Sequence, residues 1–250
     1  TEPLRRNTAT CVAYASFKIS QVNPEATLVV TPADHLILQE GRFIQTIQSA
    51  IDAAQTPGRL ITIGIKPNRP ETGYGYIQCG ESVKGGGAHH IASFAEKPDL
   101  ERAQSYLDAG NYLWNSGLFM VRASVWLKAL GAFRPDILQA CRLAVDNAQH
   151  DLDFVRPHVP AFEACPSDSI DYAVMERLPQ QPALGIATGV VSLNAGWSDL
   201  GAWDALWQAL PHDDAGNAQR GDTLALDCAD SLLMSSGRLV AGVGLRGLVV

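Results

Sequence analysis

Apolar positions recur at helical spacing over residues 9–20 and 40–55, while ATLVV at 26–30 and RLITIGI at 59–65 are short apolar runs rich in β-type residues. Continuous runs of that length suit strands covered on both faces. The order predicts a buried parallel strand in "ATLVVTPADHLI", then a helix, then a second buried strand, the βαβ unit of a helix-covered parallel sheet. YGYIQCG (74–80) and HHIASFAEKP (89–98) predict further strands, separated by KGGG (84–87) as a flexible turn. Residues 99–109 predict a helix, YLWNSGLFMVRA (112–123) contains a strand, and residues 124–148 predict two helices divided at Pro135. SIDYAVMERL (169–178) reads as a helix capped by Ser169, and PALGIATGVVSL (182–193) as mostly strand. From about residue 218 the runs DTLALD, SLLMSS, RLVAGVG and LVV follow one another with turns and no helix between them. The expected organisation is an α/β domain with a mixed, mostly parallel sheet over 1–217, then the start of a β-rich region over 218–250, with no internal repeat in the main body.

Composition sharpens this picture. At 46% hydrophobic and 18% charged residues, the 250-residue chain is well cored rather than disordered. Its net charge of −7, from 19 basic against 26 acidic residues, argues against a nucleic-acid partner but leaves room for a small phosphate ligand. The five cysteines (Cys11, Cys79, Cys141, Cys165, Cys228) form no CxxC pair and fit scattered thiols in a reducing cytosol. No apolar run reaches the ~20 residues of a membrane span, and no signal peptide is visible, so the expected location is cytoplasmic. The chain opens on Thr1 and stops inside an apolar run, which reads as a piece cut from a longer protein.

Open α/β sheets bind ligands beyond the carboxyl ends of their strands, which directs attention to polar residues there. Asp34 follows "LVVTPA", and Asp199 sits in the turn "GWSDLG". Each could cap a helix or shape a turn; together they could be the one or two carboxylates with which Mg²⁺ is held beside substrate phosphates. Gly73 and Gly75 around Tyr74 allow a backbone to approach a hydroxyl or phosphate, or else soften a hairpin. Glu96 and Lys97 suit sugar hydroxyls and a phosphate respectively, but alternation sends neighbours to opposite faces unless the strand ends or bulges there. Asn115 lies inside an apolar run, where an unpartnered amide would cost about 1–3 kcal/mol, so it faces a ligand or a structural partner. Asp171 either lines the same cleft or occupies the first turn of a helix. Arg6, Asn7 and Thr8 precede a helix whose N-terminus attracts anions; Asn and Thr can read a nucleobase edge, and Thr8 can equally be the cap. None of the six histidines has metal-ligand spacing, with His89 and His90 expected to be structural, and no GxSxG, HExxH or Cys–His pattern supports nucleophilic catalysis.

"EPxxRNTA", "PADHLI", "RPETGYGYI", "FAEKPD", "YLWNSGLF", "DSIDYAVMER" and "GWSDLGAW" occur in this order over nearly the whole chain. As a set they resemble the mannose-1-phosphate guanylyltransferases, most closely the bacterial type often fused to a phosphomannose isomerase domain. The resemblance implies a Rossmann-like nucleotidyltransferase domain with a β-rich C-terminal part, and an enzyme that transfers GMP from GTP to mannose 1-phosphate for GDP-mannose biosynthesis. It implies that Asp34 and Asp199 hold Mg²⁺ and that Lys97 binds the sugar phosphate. Gly73, Tyr74, Glu96 and Asn115 would surround the mannose, Asp171 would line the sugar side, and Arg6, Asn7 and Thr8 would lie near the guanine. It leaves open a homo-oligomer and an isomerase domain beyond Val250. The family's GxGxRxxP signature lies outside these residues, which implies little turnover by this stretch alone, and Arg5 and Thr10 stand where the family usually has glycine and proline. Alternatives are another sugar 1-phosphate with another nucleotide, and an inactive homologue that binds a nucleotide sugar.

Overall fold

The structure is a computed structural model and describes residues 2–83 and 87–250. The KGGG turn expected at 84–87 lies, except for Gly87, outside the described residues. The elements are α1 Asn7–Ser20, β1 Thr27–Val30, β2 Leu36–Ile37, α2 Glu40–Ala54, β3 Arg59–Ile65, β4 Tyr76–Ser82, β5 Ala88–Ala95, α3 Leu100–Ala109, β6 Tyr112–Arg122, α4 Ala123–Phe133, α5 Pro135–Asp146, β7 Gln149–Asp151, β8 Phe154–Arg156, α6 Val159–Glu163, β9 Ala187–Leu193, β10 Trp197–Ser198, α7 Trp203–Ala209, β11 Ala218–Arg220, β12 Thr223–Leu226, β13 Leu232–Met234 and β14 Val240–Val243. Chain contacts divide them into two compact units, residues 1–32 with 39–195 and residues 33–38 with 196–250.

The first unit carries a mixed six-stranded sheet in the order β1-β6-β3-β9-β5-β4, with helices packed on it. β3 is buried from Leu60 to Ile65, as its unbroken apolar run requires: Leu60 joins the core formed with α1, α4 and α5, while Ile61 and Ile63 point to the other face. Fully burying side chains such as Trp126, Ile137 and Leu60 contributes roughly 1.5–3 kcal/mol each. The expectation of a buried parallel β1 is corrected here. β1 pairs antiparallel with β6, Val29 is exposed, and among the described residues parallel pairing in this sheet is confined to β3 with β9. The reason is β6. It arises later in the chain yet lies between β1 and β3, antiparallel to both, so the early strand–helix–strand order does not make neighbours.

Three local departures bear on the site. β5 stops at Ala95 rather than at Pro98, because Lys97 adopts the left-handed conformation (φ +47°). β6 is bulged where β3 shifts register between Thr62 and Gly64, and Gly117 (φ +72°) supplies the turn. The helix expected over 169–178 is a five-residue π-helical turn, Asp171–Met175, in which the Glu176 amide donates to the Asp171 carbonyl at 3.0 Å. Its cap position falls on Ile170 rather than Ser169, whose hydroxyl accepts from Tyr172 N at 3.2 Å. Pro135 opens α5 as expected, and His89 is structural, facing the Gly80 carbonyl at 3.3 Å.

The second unit combines the β2–β10 ribbon and α7 with parallel ladders of β11 on β13 and β12 on β14, beginning at Ala218. Parallel pairing of strands this short, at offsets of 14 to 17 residues, coils the chain into stacked turns.

Candidate active site

In the first unit, the strand ends and the β6 bulge collect a group of polar side chains. The bulge turns Asn115 out of the ladder: its Oδ1 accepts from the Thr62 hydroxyl and from Gly117 N, both at 3.3 Å, and its Nδ2 donates to Asp171 Oδ1 at 2.9 Å. The half-buried amide thus has structural partners, as one of the two readings expected, and it holds a carboxylate in place. The Asn115 amide N donates to Gly75 O at 2.7 Å and Lys97 N donates to Tyr74 O at 3.2 Å, which ties the 73–75 loop to the ends of β5 and β6.

Left-handed Lys97 breaks the alternation that would send it away from Glu96. Its Nζ stands 3.8 Å from Glu96 Oε1. The other Glu96 oxygen is buried without a hydrogen-bond partner. Burial, the neighbouring Asp171 and Glu176 push the Glu96 carboxyl up to about 7, against the opposing pull of Lys97. Burial also raises Asp171. Gly75 lies beneath: a Cβ there would overlap Glu96 Oε2 and come 3.2 Å from Asn115 Cβ. Gly75→Ala is expected to displace the Glu96 carboxyl and to weaken any ligand of that oxygen by about tenfold, an effect of ~1.4 kcal/mol measurable by titration calorimetry. The Gly73 amide is engaged by Glu71 Oε1 at 3.0 Å, and the Tyr74 ring packs edge-on against Trp114.

The folded pKa of Glu96 lies above its ordinary 4.5, so its protonated form is favoured by folding. The stability it contributes is present below about 4.5 and is lost as pH rises through about 7. Glu96→Gln removes this loss. The gain in melting temperature of the variant over the parent is expected to be larger at pH 8 than at pH 5, and a gain independent of pH would refute the assignment.

Arg6, Asn7 and Thr8 gather at the start of α1, where the cap position falls on Arg6 and not Thr8. The Arg6 guanidinium donates to the Glu163 carbonyl, Asn7 Oδ1 accepts from Thr8 N at 2.8 Å, and the Thr8 hydroxyl accepts from Ile170 N at 3.0 Å. This group packs on the segment leading to Asp171.

In the second unit, Asp34 and Asp199 come to one place. The antiparallel β2–β10 register pairs Ser198 with Leu36, so the next pair outward is Asp199 and His35. Both carboxylates act on the His35 ring. Trp197 Nε1 donates to His35 Nδ1 at 3.0 Å, and burial holds the imidazole below its ordinary range despite the two anions. Asp199 does not cap α7, whose cap residue is Ala202; its Oδ1 instead accepts from Gly201 N at 3.2 Å.

These arrangements set hydroxyl acceptors beside an ammonium in one unit and two carboxylates near an imidazole in the other. The model of the family described as nucleotidyl transferase matches residues 1–216. The chain belongs to the nucleotidyl transferase family. It is 46% identical over its full length to a mannose-1-phosphate guanylyltransferase of Salmonella montevideo, covering 52% of that protein, and 45% identical to the xanthan biosynthesis protein XanB of Xanthomonas campestris strain B100, covering 51%. This nucleotidyl transferase thus spans about half the length of the curated relatives it matches. A solved structure titled mannose-1-phosphate geranyltransferase, from Thermus thermophilus, superposes with TM-score 0.83 at 28% identity, over 99% of this chain and 69% of that one. The shared fold is the nucleotide-sugar transferase fold, a mixed sheet with helices. Among the described residues no helix is long and apolar enough to cross a membrane.

Sequence reasoning passed over Glu176 and His35, although both stand inside quoted motifs. Glu176 is five residues from Asp171, which in an α-helix places it about 140° away. His35 is a neighbour of Asp34 whose surroundings are set by Trp197, 162 residues later.

Proposed function

We propose that this nucleotidyl transferase moves GMP from GTP to the phosphate of mannose 1-phosphate, giving GDP-mannose and pyrophosphate. The observation that carries the reading is the pocket of the first unit. There an unpartnered buried oxygen of Glu96, the Asn115–Asp171 pair and the Lys97 ammonium offer hydroxyl ligands beside a single phosphate ligand. A phosphate oxygen of the sugar attacks the α-phosphorus of GTP as the bond from that phosphorus to the bridging oxygen breaks, and pyrophosphate leaves with the electron pair. No side-chain nucleophile and no proton transfer are required, so catalysis rests on positioning and on charge neutralisation. Lys97 orients the attacking phosphate and offsets repulsion between two anions. Arg6, Asn7 and Thr8 belong to the guanine side and Tyr74, with the Gly73 backbone, to the sugar side; a ligand of the Gly73 amide would exchange with Glu71.

Asp34 and Asp199 are the proposed holders of Mg²⁺. Two carboxylates near one imidazole that burial disfavours protonating, beside a short ribbon, fit a hard cation that takes one or two carboxylates and completes its shell with phosphates and water. Bound there, Mg²⁺ would supply neutralisation of triphosphate charge. A cytoplasmic location, an attached isomerase domain and a separate β-rich domain from residue 218 are parts of the same proposal, supported by the five free thiols, the relatives' length and the ladders that start at Ala218.

The test is product analysis of the intact protein with Mg²⁺, using mannose 1-phosphate and glucose 1-phosphate against GTP and UTP. GDP-mannose as the dominant product supports the reading; another pair dominating, or none turning over, overturns it.

A further inference from the structure

We propose that Glu176 is a positioning residue for the sugar-phosphate pocket: by holding the Glu96 amide it aims the Glu96 carboxyl and left-handed Lys97 at one ligand. This deepens the proposed function and rests on it.

The geometry begins where the β4–β5 ladder gives out, since Tyr76 opposite Ala95 is its last pair. The next amide, that of Glu96, donates to Glu176 Oε1 at 2.9 Å. The residue after it is Lys97 at φ +47°, in the left-handed region that side-chain-bearing residues rarely adopt. An anchor immediately before such a kink fixes the plane from which the kink departs. Its far side is fixed by Lys97 N on Tyr74 O. With the amide released, Lys97 could relax toward an extended backbone and swing its ammonium away from Glu96.

Glu176 reaches this amide only because the chain makes a π-helical turn. The hydrogen bond from Glu176 N to Asp171 O places residue 176 over residue 171, on one face of the turn. Asp171 then meets Asn115 from β6 while Glu176 meets Glu96 at the end of β5. The groups facing Glu96 are Lys97 on its own segment and Asp171 and Glu176 on the π-turn, with neutral Gly75 and Asn115 from the other sides. Glu176 therefore acts twice: as a hydrogen-bond acceptor that sets direction, and as a charge that favours protonation of Glu96.

Glu176→Ala removes both actions, and Glu176→Gln keeps an acceptor oxygen while removing the charge. In steady-state assays of the intact protein, Glu176→Ala is expected to raise KM for mannose 1-phosphate about tenfold, with KM for GTP within about twofold. Glu176→Gln is expected to recover most of that KM. It should also move the acidic limb of kcat/KM for the sugar phosphate to lower pH; the substrate's own titration is common to both proteins and cancels. A folded Glu176→Ala with unchanged sugar-phosphate KM, or an equal rise for GTP, overturns the proposal. Should Glu176→Ala fail to fold, an unmoved acidic limb in Glu176→Gln overturns it. If the parent does not turn over mannose 1-phosphate, the substrate reading fails separately. Calorimetry with inorganic phosphate then decides, with weaker binding to Glu176→Gln than to the parent at pH 6, absent at pH 8, supporting the pocket role and equal binding at both pH values refuting it.

Discussion

Asp199→Asn is expected to lower kcat about 10³-fold while leaving the fold intact. The substitution keeps the volume and keeps a side-chain oxygen able to accept from Gly201 N, so the turn survives. What goes is one of the two carboxylates near His35. Weakening the proposed Mg²⁺ site would remove several kcal/mol of transition-state stabilisation, and ~4 kcal/mol corresponds to about 10³ in rate. The effect should be relieved in part by raising Mg²⁺ if the loss is in metal affinity. Circular dichroism and the melting temperature provide the fold control. Near-normal turnover at ordinary Mg²⁺ would remove Asp199 from the metal site.

Lys97→Asn is expected to split stability from function. Lys97 holds φ +47°, where Asn is several-fold better tolerated than other side chains. Its ammonium is half exposed and stands 3.8 Å from a carboxyl whose ionisation is suppressed by burial, so little ion-pair stabilisation is lost. Relief of about 1 kcal/mol should raise the melting temperature by roughly 2–4 °C for a chain of this size. The charge proposed to meet the sugar phosphate disappears at the same time, with an expected cost of about 3 kcal/mol, or ~10² in kcat/KM. A protein both more stable and nearly inactive would identify the left-handed lysine as strain retained for binding. A variant less stable than the parent would show that Lys97 is structural.

The neutral tendency of Glu96 fits the same pattern. Three carboxyl groups, Glu96, Asp171 and Glu176, share a partly buried space with one lysine, an arrangement no core would select for stability. A ligand that brings hydroxyl donors to the carboxyls and phosphate to the lysine satisfies each group at once.

Much of this protein was legible in the chain itself. Apolar runs and breakers placed β3, β4, α3, α4 and α5, with Pro135 at the joint, because those signals act within a turn or two of the residue concerned. The motifs around Asp34, Glu96–Lys97, Asn115, Asp171 and Asp199 carried the family, which depends on residue identity and order rather than on coordinates. Tertiary structure alone decided who meets whom. It set β6 between β1 and β3, because strand order depends on long-range pairing that no local period encodes. It turned Lys97 back beside Glu96 through one backbone angle, and it replaced an α-turn by a π-turn so that Asp171 and Glu176 share a face. It also brought Asp34 and Asp199 near one imidazole, that of His35. Sequence spacing fixes the periodicity of a segment, while the direction of a side chain at its end depends on dihedral angles and partners that are set only when distant segments pack.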